Sequence, residues 1–308
     1  MQAAPSPSQA STEAAIGFVL VTYKNPEQLL RLVHTLNRVY GDPPIAIHHD
    51  FGQCDPCAAR FPANAVFVRP HAPTGWGTFG VCEGTVRALE VLYGHGEGPR
   101  WFTLLSGCDY PLQPAATVLA DLERGGYDAH LTHTRIQRDA AAGTWEGICV
   151  DRYLRAPLTL PWPLPPWRRP LHVRYPLITR FLLPWSRTLQ CYAGSQWFSA
   201  NRRAARAILH SHREDQRLRE FYANTARVCD ESYFHTILAN TPGLKLHNHN
   251  WRYIDWGTGG AHPRVLGSED LDMALASGCH FARKFDQAQE RAVLDALDQH
   301  LNTSHRHP

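Results

Sequence analysis

The chain has 308 residues, 44% hydrophobic and 19% charged, enough apolar material for one large domain or two small ones sharing a cleft, and too much for disorder. With 31 Lys and Arg against 28 Asp and Glu the formal charge is only +3, too little to argue for nucleic acid, and it suits a protein that handles a small anion. The opening MQAAPSPSQASTEAA lacks the basic and apolar stretches of a signal peptide, and no later run approaches the roughly 18 apolar residues of a spanning helix. The expectation is a flexible tail over 1–14 on a cytoplasmic protein, with one domain over 15–303.

From Ile16 to Thr22 the run IGFVLVT is continuous and β-branched, the pattern of a strand buried on both faces. Asn25 and Pro26 then read as the cap and first position of a leucine-spaced helix reaching about Val39. Strands are predicted at 44–48, 65–69, 101–106 and 128–133, with helices at 79–94 and 115–124. This alternation predicts an α/β fold with a parallel, doubly wound sheet. Ligands on such sheets collect beyond the carboxyl ends of the strands, and Asp50 and Asp109 lie just past two of them. Between 151 and 190 the composition turns to Arg, Trp and Pro, with seven arginines and one acid, which reads as an irregular excursion. Helices follow near 201–210, 213–226, 230–240, 268–277 and 287–302, and no internal repeat is visible.

Several residues could carry chemistry. Eight cysteines stand mostly alone in apolar segments, as buried thiols do; Cys54 and Cys57 form one Cys-x-x-Cys without the second pair that zinc requires. In CDESYFHTIL (229–238) Asp230 reads as a helix cap, placing Glu231 in the first turn, where the helix dipole favours the ionised carboxylate that a proton acceptor needs. Acids also decorate helix starts without any catalytic role. Asp270 and Asp272 form the one tidy Asp-x-Asp, but on a helix residues two apart diverge, a poor metal site. Arg264 and Lys284 are candidate cations for a phosphate group, or ordinary solvated side chains. Nine tryptophans offer faces for sugar rings, with Trp76, Trp197, Trp251 and Trp256 flanked by glycine or charge. Asp109, in a Gly/Pro turn, is equally a turn stabiliser.

The segments VTYKNPEQLLRLV, HHD (48–50), TGWGTF (74–79), LLSGCDYPL (104–112), GSQWFSANRR (194–203), DESYFHTIL (230–238), WRYIDW (251–256) and HPRVLGSEDLDMALASGCHFARKFD (262–286) occur in this order along nearly the whole chain. Together they resemble the core-2/I-branching and peptide O-xylosyltransferase family, glycosyltransferase family 14. The resemblance implies a GT-A type fold with a Rossmann-like nucleotide-binding half (15–135) and an acceptor and catalytic half (136–303). It also implies inverting transfer of a xylosyl or N-acetylglucosaminyl residue from a UDP-sugar, with no divalent metal or other cofactor. Glu231 matches the family's catalytic base and Lys284 a lysine on the diphosphate, with Arg264 acting beside it. Asp50 matches a position near the uridine, and Trp76, Asp109 and Trp197 match motifs lining the cleft. The acceptor would be a glycan, a lipid-linked glycan or a protein. Eukaryotic members are membrane-anchored and carry disulfides, so the resemblance here is to a bacterial-type cytoplasmic version. In that setting the 151–190 excursion would recognise the acceptor or touch anionic lipid at the inner membrane. A non-catalytic carbohydrate- or nucleotide-binding module is the alternative, though it would be expected to have lost the base or the cations. A dehydrogenase is disfavoured because no G-x-G-x-x-G follows the first strand.

Overall fold

The computed structural model describes residues 14–155, 158–160, 171–173, 183–257 and 262–304. The expected tail lies outside them up to residue 13, as does much of the 151–190 excursion, so its expected acceptor or lipid role falls largely outside the described residues.

The β-branched opening run forms strand β1 (Ile16–Thr22), followed by helix α1 (Pro26–Tyr40), strands β2 (Ile45–His49) and β3 (Ala65–Phe67), helix α2 (Gly80–Tyr93) and strand β4 (Trp101–Ser106). Alternate residues of β1 enter two separate cores. Ile16, Phe18 and Leu20 pack with Leu29, Leu32 and Leu36 of α1, while Val19 packs with Val86 and Leu89 of α2 and Phe102 of β4. With both faces covered, no position in the middle of the strand is left for a polar side chain. Pro26 opens α1, and Gly41, at φ 69°, closes it in the left-handed region that favours glycine. Asn25 does not cap α1 through its side chain, contrary to the sequence reading; its backbone is left-handed and its carbonyl accepts the Leu29 N–H at 3.0 Å.

After β4 come strand β5 (Asp109–Pro111), helix α3 (Ala115–Glu123), strands β6 (Ala129–His130) and β7 (Thr134–Arg135), helix α4 (Trp145–Cys149) and a π-helical turn, Val150–Leu154. Strands β8 (Leu158–Leu160) and β9 (Leu171–Val173) pair antiparallel within the excursion. The chain continues through β10 (Tyr192–Ala193), β11 (Ser199–Asn201), α5 (Arg202–Glu214), α6 (Gln216–Asn224) and a 3₁₀ turn at Cys229–Glu231. It ends with α7 (Tyr233–Asn240), β12 (Leu246–His247), β13 (Arg252–Ile254), a 3₁₀ turn at Ser268–Asp270, α8 (Leu271–Ala276), β14 (Phe281–Arg283) and α9 (Arg291–Ser304).

The main sheet has seven strands in the order β12-β6-β11-β4-β1-β2-β3. Strands β4, β1, β2 and β3 run parallel, while β11 is antiparallel to both β4 and β6. The α/β class is as expected, with this one reversed strand in the described sheet. A smaller sheet, β13-β14-β5, begins where β4 ends. The strand expected over 128–133 shortens to Ala129–His130, because the chain beyond turns to side-chain partners: His133 N–H donates to Asn248 Oδ1 at 2.7 Å, and Thr132 Oγ1 accepts from Ser195 N–H at 3.1 Å. All eight cysteines are free; Cys82, Cys149, Cys191, Cys229 and Cys279 are buried, and Cys57 is exposed.

Candidate active site

The segment holding Glu231 is not the start of an α-helix. Val228 is left-handed at φ 55°, the 3₁₀ turn Cys229–Glu231 follows, and α7 begins only at Tyr233. Val228 N–H donates to the Gly77 carbonyl at 2.8 Å, so the Trp76–Gly77 loop rests on the turn that carries Glu231. From the other side Gly194 N–H donates to the Glu231 carbonyl at 2.8 Å. Gly194 has to be glycine here, since a Cβ would stand 1.8 Å from the Thr132 carbonyl oxygen.

The Glu231 side chain is 30% exposed and Arg152 Nη1 donates to its Oε2 at 2.8 Å. Burial pushes the Glu231 carboxyl above its usual range, and the neighbouring Asp230 charge adds to this, while Arg152 opposes both. This corrects the expectation of a carboxyl held acidic by a helix dipole: the turn is too short to build one, and desolvation dominates. Asp230 is also pushed up by burial, opposed in part by Arg152 and Arg283, and its buried Oδ1 has no hydrogen-bond partner among the described residues.

Beside this turn lies a charged cluster. Asp109, fully buried, accepts from Ser106 N–H at 2.7 Å and from the Ser106 hydroxyl, which closes the turn after β4. Among the described residues its Oδ1 has no hydrogen-bond partner, but it lies 3.8 Å from Arg252 Nη1 and 4.0 Å from Arg283 Nε. Asp109 is thus a turn residue and the counter-ion of two arginines. Arg252 has no exposed side chain, and burial pulls its guanidinium down to about 10, with Asp109 acting the other way. Arg283 lies 4.1 Å over the ring of Trp197, which assigns that tryptophan to a cation stack. The Cys108 thiol in the same turn is pushed up by burial and by Asp109, against the charges of Arg283, Lys24 and Lys284. Lys24 follows β1 and Cys108 follows β4, so these three cations gather at the carboxyl ends of two adjacent parallel strands.

Asp50 and its loop form a third part. Asp50 Oδ2 accepts from Thr74 N–H at 2.7 Å, Thr74 Oγ1 at 3.0 Å and Gln53 Nε2 at 2.7 Å, and Oδ1 accepts from Gly52 N–H at 3.0 Å. Burial alone would raise its carboxyl; these bonds outweigh burial and bring it to about 2. Asp50 therefore organises the loop that leads through Thr74 to Trp76, whose ring is 67% exposed and meets His262 edge-on at 6.5 Å.

Arg264 is placed differently from Lys284. Its guanidinium bonds Asp255 Oδ2 at 2.6 Å and Asp270, with Glu269 at 3.4 Å, and the bonds to Asp270 and Asp255 push it well above the usual arginine range. The Lys284 ammonium makes no ion pair among the described residues, and its carbonyl accepts the Leu266 N–H at 2.8 Å. Asp270 faces Arg264 and the Gly267 N–H, while Asp272 is exposed. A cavity of about 510 Å³, lined in part by Pro44, Val66, Val91 and Pro99, lies at the amino-terminal ends of the strands, away from all these groups.

The Trp76–Gly77 loop thus meets the turn that carries Glu231; Asp109, Trp197 and Lys284 gather with Arg283 around the turn after β4; Asp50 holds the loop that leads to Trp76; and Arg264 is turned towards acids. Sequence reasoning missed Arg152, Arg252, Arg283 and Lys24. Nothing in the sequence separates Arg152 from the other six arginines of its stretch; Arg283, next to Lys284, could have been noticed.

The family profile of the Core-2/I-Branching enzyme matches residues 16–276. The chain belongs to this family of glycosyltransferases. It is 26% identical over 223 residues to the beta-glucuronosyltransferase GlcAT14A of Arabidopsis thaliana, covering 70% of this chain and 46% of that one. It is 30% identical over 132 residues to xylosyltransferase 2 of Rattus norvegicus, covering 36% of this chain and 15% of that one. The chain thus spans less than half the length of these relatives. Among the described residues no helix is long and apolar enough to cross a membrane.

Proposed function

We propose that the chain transfers a sugar from a UDP-sugar to a hydroxyl acceptor by a single inverting displacement, without a divalent metal, and that Glu231 is the base. The observation that carries this reading is the half-buried Glu231 carboxyl, with a raised proton affinity, on a turn whose Asp230 feels the charge of Arg283, one of the cations at the carboxyl ends of β1 and β4. The acceptor oxygen attacks the anomeric carbon as the bond to the diphosphate oxygen breaks. The bonding pair leaves with UDP, and the acceptor proton passes to Glu231. Lys284, with Lys24 and Arg283 beside it, stabilises the charge on the departing diphosphate. Arg264 takes that role only by exchanging Asp255 and Asp270 for phosphate oxygens. The names of the relatives add glucuronosyl to xylosyl and N-acetylglucosaminyl as donor sugars, and the acceptor is a glycan, a lipid-linked glycan or a protein.

The test is calorimetric binding and UDP release in EDTA with UDP-glucuronate, UDP-xylose and UDP-N-acetylglucosamine, for the native protein and Glu231→Gln. The expected result is that one donor binds and turns over in EDTA, and that the variant binds it but no longer turns it over. Binding that requires added manganese would overturn the metal-free mechanism, and a fully active variant would remove Glu231 as the base.

A further inference from the structure

The π-helical turn Val150–Leu154 continues α4 with one extra residue, its Arg155 N–H bonding the Val150 carbonyl five positions back at 3.0 Å. This turn is fastened to the Glu231 turn at two points. The Tyr153 hydroxyl donates to the Val228 carbonyl at 2.6 Å, and Arg152 Nη1 donates to Glu231 Oε2 at 2.8 Å. From behind, the Trp185 indole N–H donates to the Tyr153 carbonyl at 2.8 Å, and its ring packs on Phe221 at 5.4 Å. Tyr153 itself is fully buried, so the base of the turn is fixed while Arg152, 26% exposed, reaches the Glu231 carboxylate.

The pair has an asymmetry that matters for a base. Arg152 occupies Oε2 of Glu231, and among the described residues no group donates to Oε1. One oxygen is held and the other is left to accept a proton. We propose that Arg152 is the positioning residue of the base, holding the Glu231 carboxylate in one orientation with Oε1 open to the acceptor hydroxyl. The inference rests on the reading of Glu231 as the base.

A guanidinium in this place also sets when the base is available. Among the described residues the groups facing Glu231 are Asp230 on its own turn, Arg152 and Tyr153 on the π turn and Cys149 on α4, with Arg283 of β14 acting on Asp230. Burial pushes the Cys149 thiol to about 12 and the Tyr153 phenol upward, so both are neutral at working pH. The balance is then between Asp230, which raises the proton affinity of Glu231, and Arg152, which lowers it. Loss of Arg152 must move the acid limb of turnover to higher pH, and loss of Asp230 must move it to lower pH.

The experiment is kcat against pH for the full chain, by UDP release from the donor that turns over, with Arg152→Gln, Arg152→Lys, Asp230→Asn and Glu231→Gln. For Arg152→Gln we expect the acid limb to move to higher pH, kcat on the acid side of its midpoint to fall about tenfold, and donor KM to change less than about twofold. Arg152→Lys should recover part of the loss, which a merely structural arginine would not explain, and Asp230→Asn should shift the limb down. If Arg152→Gln keeps the native profile while Glu231→Gln is inactive, the positioning role is overturned and the base survives. An active Glu231→Gln overturns the reading beneath it. Should Arg152→Gln fail to fold, Arg152→Lys and Asp230→Asn decide: a limb unmoved in both overturns the proposal.

Discussion

Replacing Asp109 by Asn removes one charge and almost nothing else, since the amide oxygen can still accept the Ser106 N–H. What changes is the environment of Arg252. Its side chain has no exposure, and among the described residues its Nε and Nη1 have no hydrogen-bond partner while Nη2 bonds the Leu104 carbonyl at 3.1 Å. The Asp109 carboxylate is 3.8 Å away, and at an effective dielectric constant of about 20 that attraction is ~4 kcal/mol. Without it the buried guanidinium stands uncompensated and faces Arg283, whose charge already lowers its proton affinity. The expected destabilisation is about 3–5 kcal/mol, the range found when one partner of a buried pair is removed. At roughly 2–4 °C per kcal/mol for a chain of this class, Tm falls by about 10 °C. Thermal unfolding followed by circular dichroism measures it, and a cycle with Arg252→Met separates the pair from the packing: the double variant should regain most of the loss. A Tm within about 2 °C of the native protein, or strictly additive losses, would refute the argument that this charge pair is what makes Arg252 tolerable in the core.

Two further outcomes are expected. Gly194→Ala places a Cβ 1.8 Å from the Thr132 oxygen and displaces the N–H that holds the Glu231 carbonyl, so turnover should fall on the order of 100-fold in UDP release while donor binding by calorimetry persists. Burial brings His48, His130 and His235 to about 4, below the roughly 6.5 of an unfolded chain, so the unfolded state binds more protons between these values. Their stabilisation is complete above pH 6.5 and is lost as the pH falls through 4; urea midpoints at pH 7.5, 6 and 5 should decline in that order, and equal midpoints would contradict it.

The strands were legible because β1, β2 and β4 are apolar on both faces, a pattern that depends only on neighbours in the chain. The electrostatic setting of Glu231 was not legible. The helix expected over 230–240 is preceded by a left-handed Val228 that the Gly77 carbonyl holds in place, and a partner so distant in sequence leaves no local mark. The same holds for Arg152, 79 residues from Glu231, and for Arg252, whose pairing with Asp109 arises only when β5, β13 and β14 form one sheet. Arg264 illustrates the converse: a cation in a matching motif, whose acidic neighbours Asp255, Glu269 and Asp270 are in plain view in the sequence but whose engagement with them is not.

Strand β11 lies between β4 and β6, although both of those precede it by many residues. A fragment ending at 135 would carry β4 and β6 with their shared neighbour missing, two open strand edges in place of one continuous sheet. The segments before and after residue 135 therefore cannot be parted into autonomous units by a cut there. Expressed separately, they would have to find each other to complete the sheet, and restored turnover on mixing would report that β11 had slotted home.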